Sequence, residues 1–398
     1  MPVRGAWEVF LAFLRLGVTS FGGPIAHLGY FRAEFVERRR WLDDATFSDL
    51  VGLCQFLPGP TSSQVGMALG MLRAGWAGTL AAWLGFTTPS ALLLIAFGYG
   101  MTQFGALAQS GAVHGLKVVA VAVVAQAVWG MAKALCPDRP RAALALCAAL
   151  LTLVLPTSIW QVGTIAASAL AGLWLVQVAP VSDATHEAFG ASRHFGAAAL
   201  ALFVVLLAGL PLVAQATGSP ALQLIDGFYR AGALVFGGGH VVLPLLQAAV
   251  VPGGAVSNEA FLAGYGAAQA VPGPLFTFAA YLGTVMHGTL TGWAGGFVFL
   301  LAIFLPGYLL VVGALPFWDA LRRRTRVRAA LAGVNAGVVG ILASALYDPV
   351  WTSAIHSRAD FGLALAAFGL LMYARVSPFV VVLLAAAGGW ALGLSFGT

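Results

Sequence analysis

The sequence QFLPGPTSS at residues 55–63 breaks an apolar segment, and QAVPGPLFT at residues 269–277 repeats the pattern in the second half of the chain. The first proline of each Pro-Gly-Pro pushes the residue before it out of helical geometry. The glycine permits an unusual turn, and the second proline suits the start of a new helix. Each copy therefore predicts a helix that stops and restarts within an apolar stretch.

The composition places these breaks in a membrane. Of the 398 residues, 60% are hydrophobic and 9% are charged, whereas soluble proteins carry about 25% charged residues. This excludes a soluble enzyme, a nucleic-acid-binding domain and a disordered regulator, and it favours a polytopic membrane protein. The net charge of +6 does not predict a nucleic-acid partner, because the basic residues form short clusters between apolar runs, as in cytoplasmic loops. The three cysteines lack metal-ligand spacing, and we predict no metal and no cofactor.

The chain also aligns with itself outside the breaks. Phe21-Gly22-Gly23 matches Phe236-Gly237-Gly238, and Arg15 and Arg230 stand at equivalent positions six residues before each. Further matching anchors are Gly75-Trp76-Ala77-Gly78 with Gly292-Trp293-Ala294-Gly295, and Pro89 with Pro306. Ordered anchors at nearly constant spacing indicate a duplication.

Loop charges predict the relative orientation of the two copies. Segment 31–49 carries four arginines and its counterpart 251–260 carries none, whereas segment 102–115 carries none and its counterpart 317–330 carries five. Basic loops stay in the cytoplasm, so equivalent loops face opposite sides. The fold class predicted is an all-α polytopic membrane protein, an inverted repeat of two homologous halves with broken or re-entrant helices, as in many secondary transporters.

Domain boundaries follow from the same pattern. We predict an N-terminal repeat at 1–178, a linker plus connecting transmembrane helix at 179–220, and an inverted C-terminal repeat at 221–398. A crossing needs about 20 residues. The predicted crossings are 76–100, 113–134, 142–156, 158–178, 197–217, 291–314, 330–348, 361–374 and 378–396.

Two segments in each half do not fit simple crossings. Segments 47–72 and 261–287 are divided by Pro-Gly-Pro into arms too short to span, and 7–37 and 221–250 are interrupted at their Phe-Gly-Gly sequences. Irregular backbone inside a bilayer is tolerated only where protein or water covers it. We therefore expect both breaks to lie at a covered, functional position.

The breaks are suited to an oxyanion. A helix start exposes backbone N–H groups and carries about half a positive charge, and hydroxyl residues follow each break. Two membrane-embedded arginines, each costing at least about 3 kcal/mol, would raise the charge to about +3, enough for a dianion. Three alternatives stay open: packing kinks for the prolines, snorkelling for the arginines and close helix contact for the glycines.

The candidate substrate-binding residues are Arg15, Phe21, Gly22, Gly23, Pro24, Gln55, Pro58, Gly59, Pro60, Thr61, Ser62 and Ser63 in the first half, and Arg230, Gly237, Gly238, Gln269, Pro272, Gly273, Pro274 and Thr277 in the second.

Several of these stretches resemble the chromate ion transporter (CHR) family in its long, two-domain form. In the first half they are FGGP at 21–24, the run from Gly29 to Leu42 and QFLPGPTSSQ at 55–64. In the second half they are FGGGH at 236–240 and QAVPGP at 269–274. The resemblance implies export of chromate across a bacterial plasma (inner) membrane, with chromate resistance as the outcome. Sulfate, a similar tetrahedral dianion, is the alternative substrate. A membrane enzyme acting on lipid phosphates is a third possibility, but the breaks lack an acidic pair, a metal cluster and a nucleophile–base pair.

Overall fold

The computed structural model describes residues 2–104, 110–155, 157–178, 192–236, 238–288, 290–318, 321 and 324–396. All regular structure within these residues is helical. Gly237, Arg322, Arg323 and residues 179–191 of the predicted linker lie outside the described residues.

The first half contains α1 (Pro2–Thr19), α2 (Gly23–Phe31), α3 (Asp44–Phe56), α4 (Thr61–Gln103), α5 (Gly111–Leu135), α6 (Arg139–Val154) and α7 (Ser158–Leu175). The connecting helix is α8 (Arg193–Thr217). The second half contains α9 (Pro220–Ala233), α10 (Val242–Val250), α11 (Asn258–Gln269), α12 (Phe278–Val285), α13 (Gly292–Ala314), α14 (Thr325–Ala345), α15 (Arg358–Met372) and α16 (Pro378–Phe396).

The helix ends at the first break follow local sequence rules. Asp43 caps α3 by accepting the Thr46 N–H at 2.8 Å, as short acceptor side chains do at helix starts. The helix ends at Leu57, which is extended (φ −80°, ψ 147°), as a residue before proline must be. Pro60 is the residue before α4 rather than its first residue, so the predicted helix start was early by one position.

Each half contains a tight turn between two helical arms, placed after its Pro-Gly-Pro break. Helix α4 turns back at Ala74 and Gly75, where Gly75 has φ 60°, and Gly70 then lies against the backbone of Gly78. In the second half Gly292, equivalent to Gly75, also has φ 60°, and Gly283 lies against Gly295. Glycine is needed at both turns because this backbone conformation strains other residues. The predicted breaks at Pro-Gly-Pro are confirmed separately, because helices end at Phe56 and Gln269 and restart at Thr61 and Phe278.

The two halves are inverted. The second arm of α4 and its equivalent, α13, lie side by side. Trp83 meets Phe304 edge-on, with ring centroids 5.7 Å apart, and the Trp293 backbone N–H donates to the Tyr99 hydroxyl at 3.1 Å. Residue numbers thus rise along one helix as they fall along the other. Equivalent helices run antiparallel, which confirms the inverted repeat.

The halves also exchange their last helices. Helix α5 packs against α15 and α16 of the second half, and its equivalent α14 packs against α6 and α7 of the first. A Cβ on Gly111 would lie 2.5 Å from the Gly389 carbonyl oxygen, and one on Gly172 would lie 2.5 Å from the Ala329 carbonyl oxygen. These two contacts are equivalent in the repeat. Small residues allow such close helix approach inside membranes, and the two halves are consequently interlocked.

The structure is that of a multi-pass membrane protein. Five helices of the described residues are long and apolar enough to cross a bilayer: Thr61–Gln103, Gly111–Leu135, Arg193–Thr217, Gly292–Phe317 and Thr325–Ala354. Helices α6 and α15, predicted as crossings, have only 16 and 15 residues. They are about 24 and 22 Å long, shorter than the hydrocarbon layer of about 30 Å. The predicted crossings at 142–156 and 361–374 are therefore short helices.

The interlock predicts a strong difference between two glycines of α5. A Cβ on Gly115 would overlap the Ala385 carbonyl oxygen, whereas one on Gly130 meets nothing within 4 Å. Gly115→Val should lower the free energy of unfolding by about 1–3 kcal/mol through overpacking, and Gly130→Val should leave it nearly unchanged. Thermal unfolding of the detergent-purified protein, followed by tryptophan fluorescence, measures both. Equal midpoints for the two variants would contradict the interlocked packing.

Candidate functional site

Two reciprocal backbone hydrogen bonds bring the breaks of the two halves together. The Gly59 N–H, in the first Pro-Gly-Pro break (Pro58-Gly59-Pro60), donates to the Val235 carbonyl at 2.7 Å. The Gly273 N–H, in the second break (Pro272-Gly273-Pro274), donates to the Ser20 carbonyl at 2.9 Å. Ser20 and Val235 directly precede the two Phe-Gly-Gly sequences. All four interruptions of the repeat therefore meet at one place between the halves.

The glycines of both breaks are required by geometry. Gly59 and Gly273 have φ 125° and 100°, a region that favours glycine. A Cβ on Gly59 would lie 3.2 Å from the Gly307 Cα, and one on Gly273 would lie 3.0 Å from the Ser90 Oγ. Gly307 and Ser90 occupy equivalent positions in α13 and α4. Each break thus packs against the long helix of the other half.

The opening turn of α4 exposes hydrogen-bond donors. Its first helical hydrogen bond runs from the Gln64 N–H to the Pro60 carbonyl at 2.9 Å. The N–H groups of Thr61, Ser62 and Ser63 consequently have no acceptor within the helix. The side chains of Ser62 and Ser63 are each only 3% exposed. The Ser62 Oγ lies 3.3 Å from the His27 Nδ1, so α2 contributes a histidine to this turn.

The second break is built differently. A 3₁₀ turn, Leu275–Thr277, follows it, and the Thr277 hydroxyl donates to the Pro274 carbonyl at 2.7 Å. The hydroxyl proton predicted for ligand binding is thus already engaged. Phe276 and Phe278 stand where the first half has Ser62 and Gln64. The second opening turn offers mainly backbone N–H groups.

Buried polar atoms without a hydrogen-bond partner concentrate in the first half of the site. They are the Ser20 Oγ, His27 Nε2, Ser63 Oγ, Gln64 Oε1 and Thr87 Oγ1. The equivalent residues of the second half are Val235, Val242, Thr277, Phe278 and Phe304. Each unpaired buried polar group costs about 1–3 kcal/mol. Several such groups next to a free helix start are expected where a polar ligand binds.

The two arginines occupy unequal environments. Arg230 forms an ion pair with Asp226 at 2.5 Å, whereas Leu11 stands at the position equivalent to Asp226 and the Arg15 side chain is exposed. Within the described part of the chain, no hydrogen bond joins either guanidinium to a Pro-Gly-Pro break. The predicted sum of charges at the breaks is therefore reduced by the charge of Asp226.

The Phe-Gly-Gly residues shape the backbone around the site. Gly22, Gly23 and Gly238 all have positive φ (101°, 79° and 149°). The Phe21 ring packs against Phe379 of α16, with centroids 5.2 Å apart. A Cβ on Gly239 would lie 3.8 Å from the Pro24 Cγ, so the two Phe-Gly-Gly sequences face each other. The structural contacts support turn and packing roles for these residues.

Access to the breaks is unequal on the two sides. Gln55 and Ser48 on α3 are exposed, whereas the equivalent α11 is buried from Phe261 to Ala268. Gly266 of α11 lies against the Leu116 carbonyl of α5. Its counterpart Gly52 has only a Trp318 ring atom at 3.8 Å. Helix α3 is thus less enclosed beside the first break than α11 is beside the second. The side that carries segment 31–49 is here called the arginine-rich side.

The arginine-rich side is held by ion pairs. Glu8 of α1 contacts Arg39 at 3.5 Å and Arg73 at 3.0 Å, and Glu34 pairs with Arg38 and Arg39. Burial tends to raise the pKa of Glu34, but the hydrogen bonds from Arg39 and Arg38 outweigh it and hold the pKa below its usual range. These arginines are engaged in joining α1, α4 and the segment after α2.

Two parts of the chain, residues 7–174 and 222–390, each match the sequence model of the chromate transporter family. The chain belongs to the chromate transporter family. It is 29% identical to a chromate transport protein of Pseudomonas aeruginosa, over 96% of this chain and 91% of that protein. It is 28% identical to a probable chromate transport protein of Synechococcus elongatus, over 97% of this chain and 96% of that protein. No solved structure matches the chain significantly.

Four residues of the site were not among the predicted ones: Ser20, His27, Gln64 and Thr87. Repeat symmetry does not mark His27, because Val242 stands at the equivalent position. A comparison of the halves for polar residues replaced by apolar ones finds all four, since Val235, Phe278 and Phe304 stand opposite Ser20, Gln64 and Thr87. The useful signal was therefore the difference between the halves.

The unequal access predicts a labelling pattern for this chromate transporter. In a background without Cys54, Cys136 and Cys147, Gln55→Cys should react quickly with a membrane-impermeant maleimide added to the arginine-rich side. Gln269→Cys should react slowly from either side, because Gln269 is half-buried with its Nε2 enclosed. Inverted and right-side-out vesicles supply the two sides. Fast labelling of Gln269→Cys would contradict the observed closure of α11.

Proposed function

We propose that the protein is a secondary transporter that exports chromate from the cytoplasm across a bacterial plasma membrane and thereby confers chromate resistance. Membership of the chromate transporter family supports chromate as the substrate. Export from the cytoplasm, secondary transport and chromate resistance are proposed here.

The observation that carries the proposal is the opening turn of α4. It combines three N–H groups without helical acceptors, two buried hydroxyls and the positive end of a helix. Chromate oxygens only accept hydrogen bonds, and helix starts bind such oxyanions. We place the anion between the two breaks, with Thr61, Ser62 and Ser63 as the main donors. The remaining donors around the anion are the side chains of Gln55 and Gln269 and the backbone N–H groups of the second break.

Export is energetically favourable in a cell whose interior is negative. Moving two negative charges outward gains about 4.6 kcal/mol per 100 mV. The membrane potential alone is therefore sufficient to drive chromate out, and the transporter needs only to expose its site to each side in turn.

The inverted repeat offers a route for that alternation. Gly266 of α11 lies against α5, while Gly52 of α3 has no such backbone contact, and in the proposed cycle the first arrangement seals its side and the second leaves its side open. Exchange of these two arrangements would bring Gly52 against α14 and release Gly266. The site would then close toward the arginine-rich side and open toward the other, as inverted-repeat transporters do.

Flux in proteoliposomes tests the function. Wild-type protein should move labelled chromate when a potential is imposed, and Ser63→Ala should lower the flux about tenfold because one hydrogen bond to a charged group is lost. Thr164→Ala is the control: its buried hydroxyl serves only the Trp160 carbonyl of its own helix, at 2.7 Å. Absence of wild-type flux would refute the proposal, and competition by sulfate in the same assay measures substrate preference.

The arginines give a second test. Arg15→Gln should lower potential-driven flux strongly if Arg15 supplies charge to the anion. Arg230→Gln should also lower it, because Asp226, 14% exposed, would be left as a buried negative charge. In the double variant Arg230→Gln/Asp226→Asn the flux should recover if Arg230 acts by neutralising Asp226. Wild-type flux in Arg15→Gln and Arg230→Gln, at equal insertion, would remove both from the mechanism.

A further inference from the structure

His27 is the one titratable side chain seen at the opening turn of α4. It is 1% exposed, and its ring meets Phe86 edge-on at 5.2 Å. The Nδ1 atom lies 3.3 Å from the Ser62 Oγ, while the Nε2 atom is buried without a partner. The backbone of Ser20 also lies beside the ring. One nitrogen thus contacts a proposed anion donor, and the other has no geometric hydrogen-bond partner among the described residues.

Counting protons shows what this pair can give to an anion. A neutral imidazole has one N–H, and a hydroxyl has one proton. If Ser62 donates to Nδ1, only the Nε2–H is left for the anion. If Nδ1–H donates to Ser62, the hydroxyl is left and Nε2 presents a lone pair. The neutral pair therefore offers one donor, whereas the imidazolium form offers two.

Several charged groups lie on the elements around α2, and most of them pair with one another. They are Glu8 and Arg15 of α1, Arg32, Glu34, Glu37, Arg38, Arg39 and Arg40 after α2, Asp43, Asp44 and Asp49 at or on α3, and Arg73 of α4. Glu8 and Glu34 pair with the arginines described above, and Arg32 pairs with Glu37 and Asp44. Among the described residues none forms an ion pair with His27. Burial without a charged partner favours the neutral imidazole.

A dianion in the site reverses that balance. A negative charge next to Nε2 favours the imidazolium, and by linkage the proton strengthens binding of the anion by the same factor. We propose that each anion is bound together with one proton taken up by His27 from the open aqueous side. The proton leaves with the anion, so that one net negative charge crosses per chromate. This inference rests on the proposed chromate transport.

Proton uptake on binding tests the inference directly. Chromate is added to purified wild-type protein in weakly buffered, mildly alkaline solution, where chromate is the dianion, and a pH indicator records the change. We expect uptake approaching one proton per bound chromate. His27→Gln keeps a donor but cannot be protonated, so it should bind chromate about tenfold more weakly and take up no proton. His240→Gln is the matched control, because His240 is a half-buried histidine of the second half with its Nδ1 at 2.8 Å from the Tyr265 hydroxyl.

Charge movement gives an independent readout. Currents recorded together with labelled flux should give one elementary charge per chromate in wild type and in His240→Gln, and two in His27→Gln. Wild-type binding without proton uptake would overturn the inference even if His27→Gln failed to fold, and it would leave the proposed function intact. Wild-type protein that neither binds nor moves chromate would instead refute the proposed function, and the inference with it.

Discussion

The structure depends on satisfying the irregular backbone between its apolar helices. Each half of this chain interrupts its helices twice, and backbone groups held away from water need partners within the protein. The Gly59–Val235 and Gly273–Ser20 bonds solve the problem by letting each half complete the backbone of the other. Because neither break can be satisfied within its own half, duplication and inversion are conditions for the site to exist.

The symmetry of the backbone contrasts with the asymmetry of the side chains. Both halves contribute a Pro-Gly-Pro break packed on the other half's long helix, but unpaired polar atoms cluster around Ser20, His27, Ser63 and Thr87. The second half has largely apolar residues at these positions. The repeat thus supplies a two-fold scaffold, and one copy has acquired most of the chemistry that can contact an anion.

The sequence was informative where the physics is local or one-dimensional. Pro58 and Pro272 end helices by steric exclusion, and arginine counts report sidedness, so the breaks and the inversion could be predicted. Contacts between distant parts of the chain could not be predicted, because nothing local to α5 shows that its partners are α15 and α16. The Asp226–Arg230 ion pair, in contrast, has i,i+4 spacing on one helix and is a local signal. Repeat symmetry does not reveal His27, because its equivalent in the second half is Val242.

The exchange of terminal helices constrains how the molecule is assembled. During synthesis α6 and α7 enter the membrane long before α14, their main partner, has been made. The first half is therefore incomplete as a unit, and its exposed helix surfaces stay in contact with lipid until the second half arrives. A half-length chain could make the same contacts only with a second copy inserted in the opposite orientation. An ancestor of half the length would therefore have needed to form dimers of two oppositely oriented copies in one membrane.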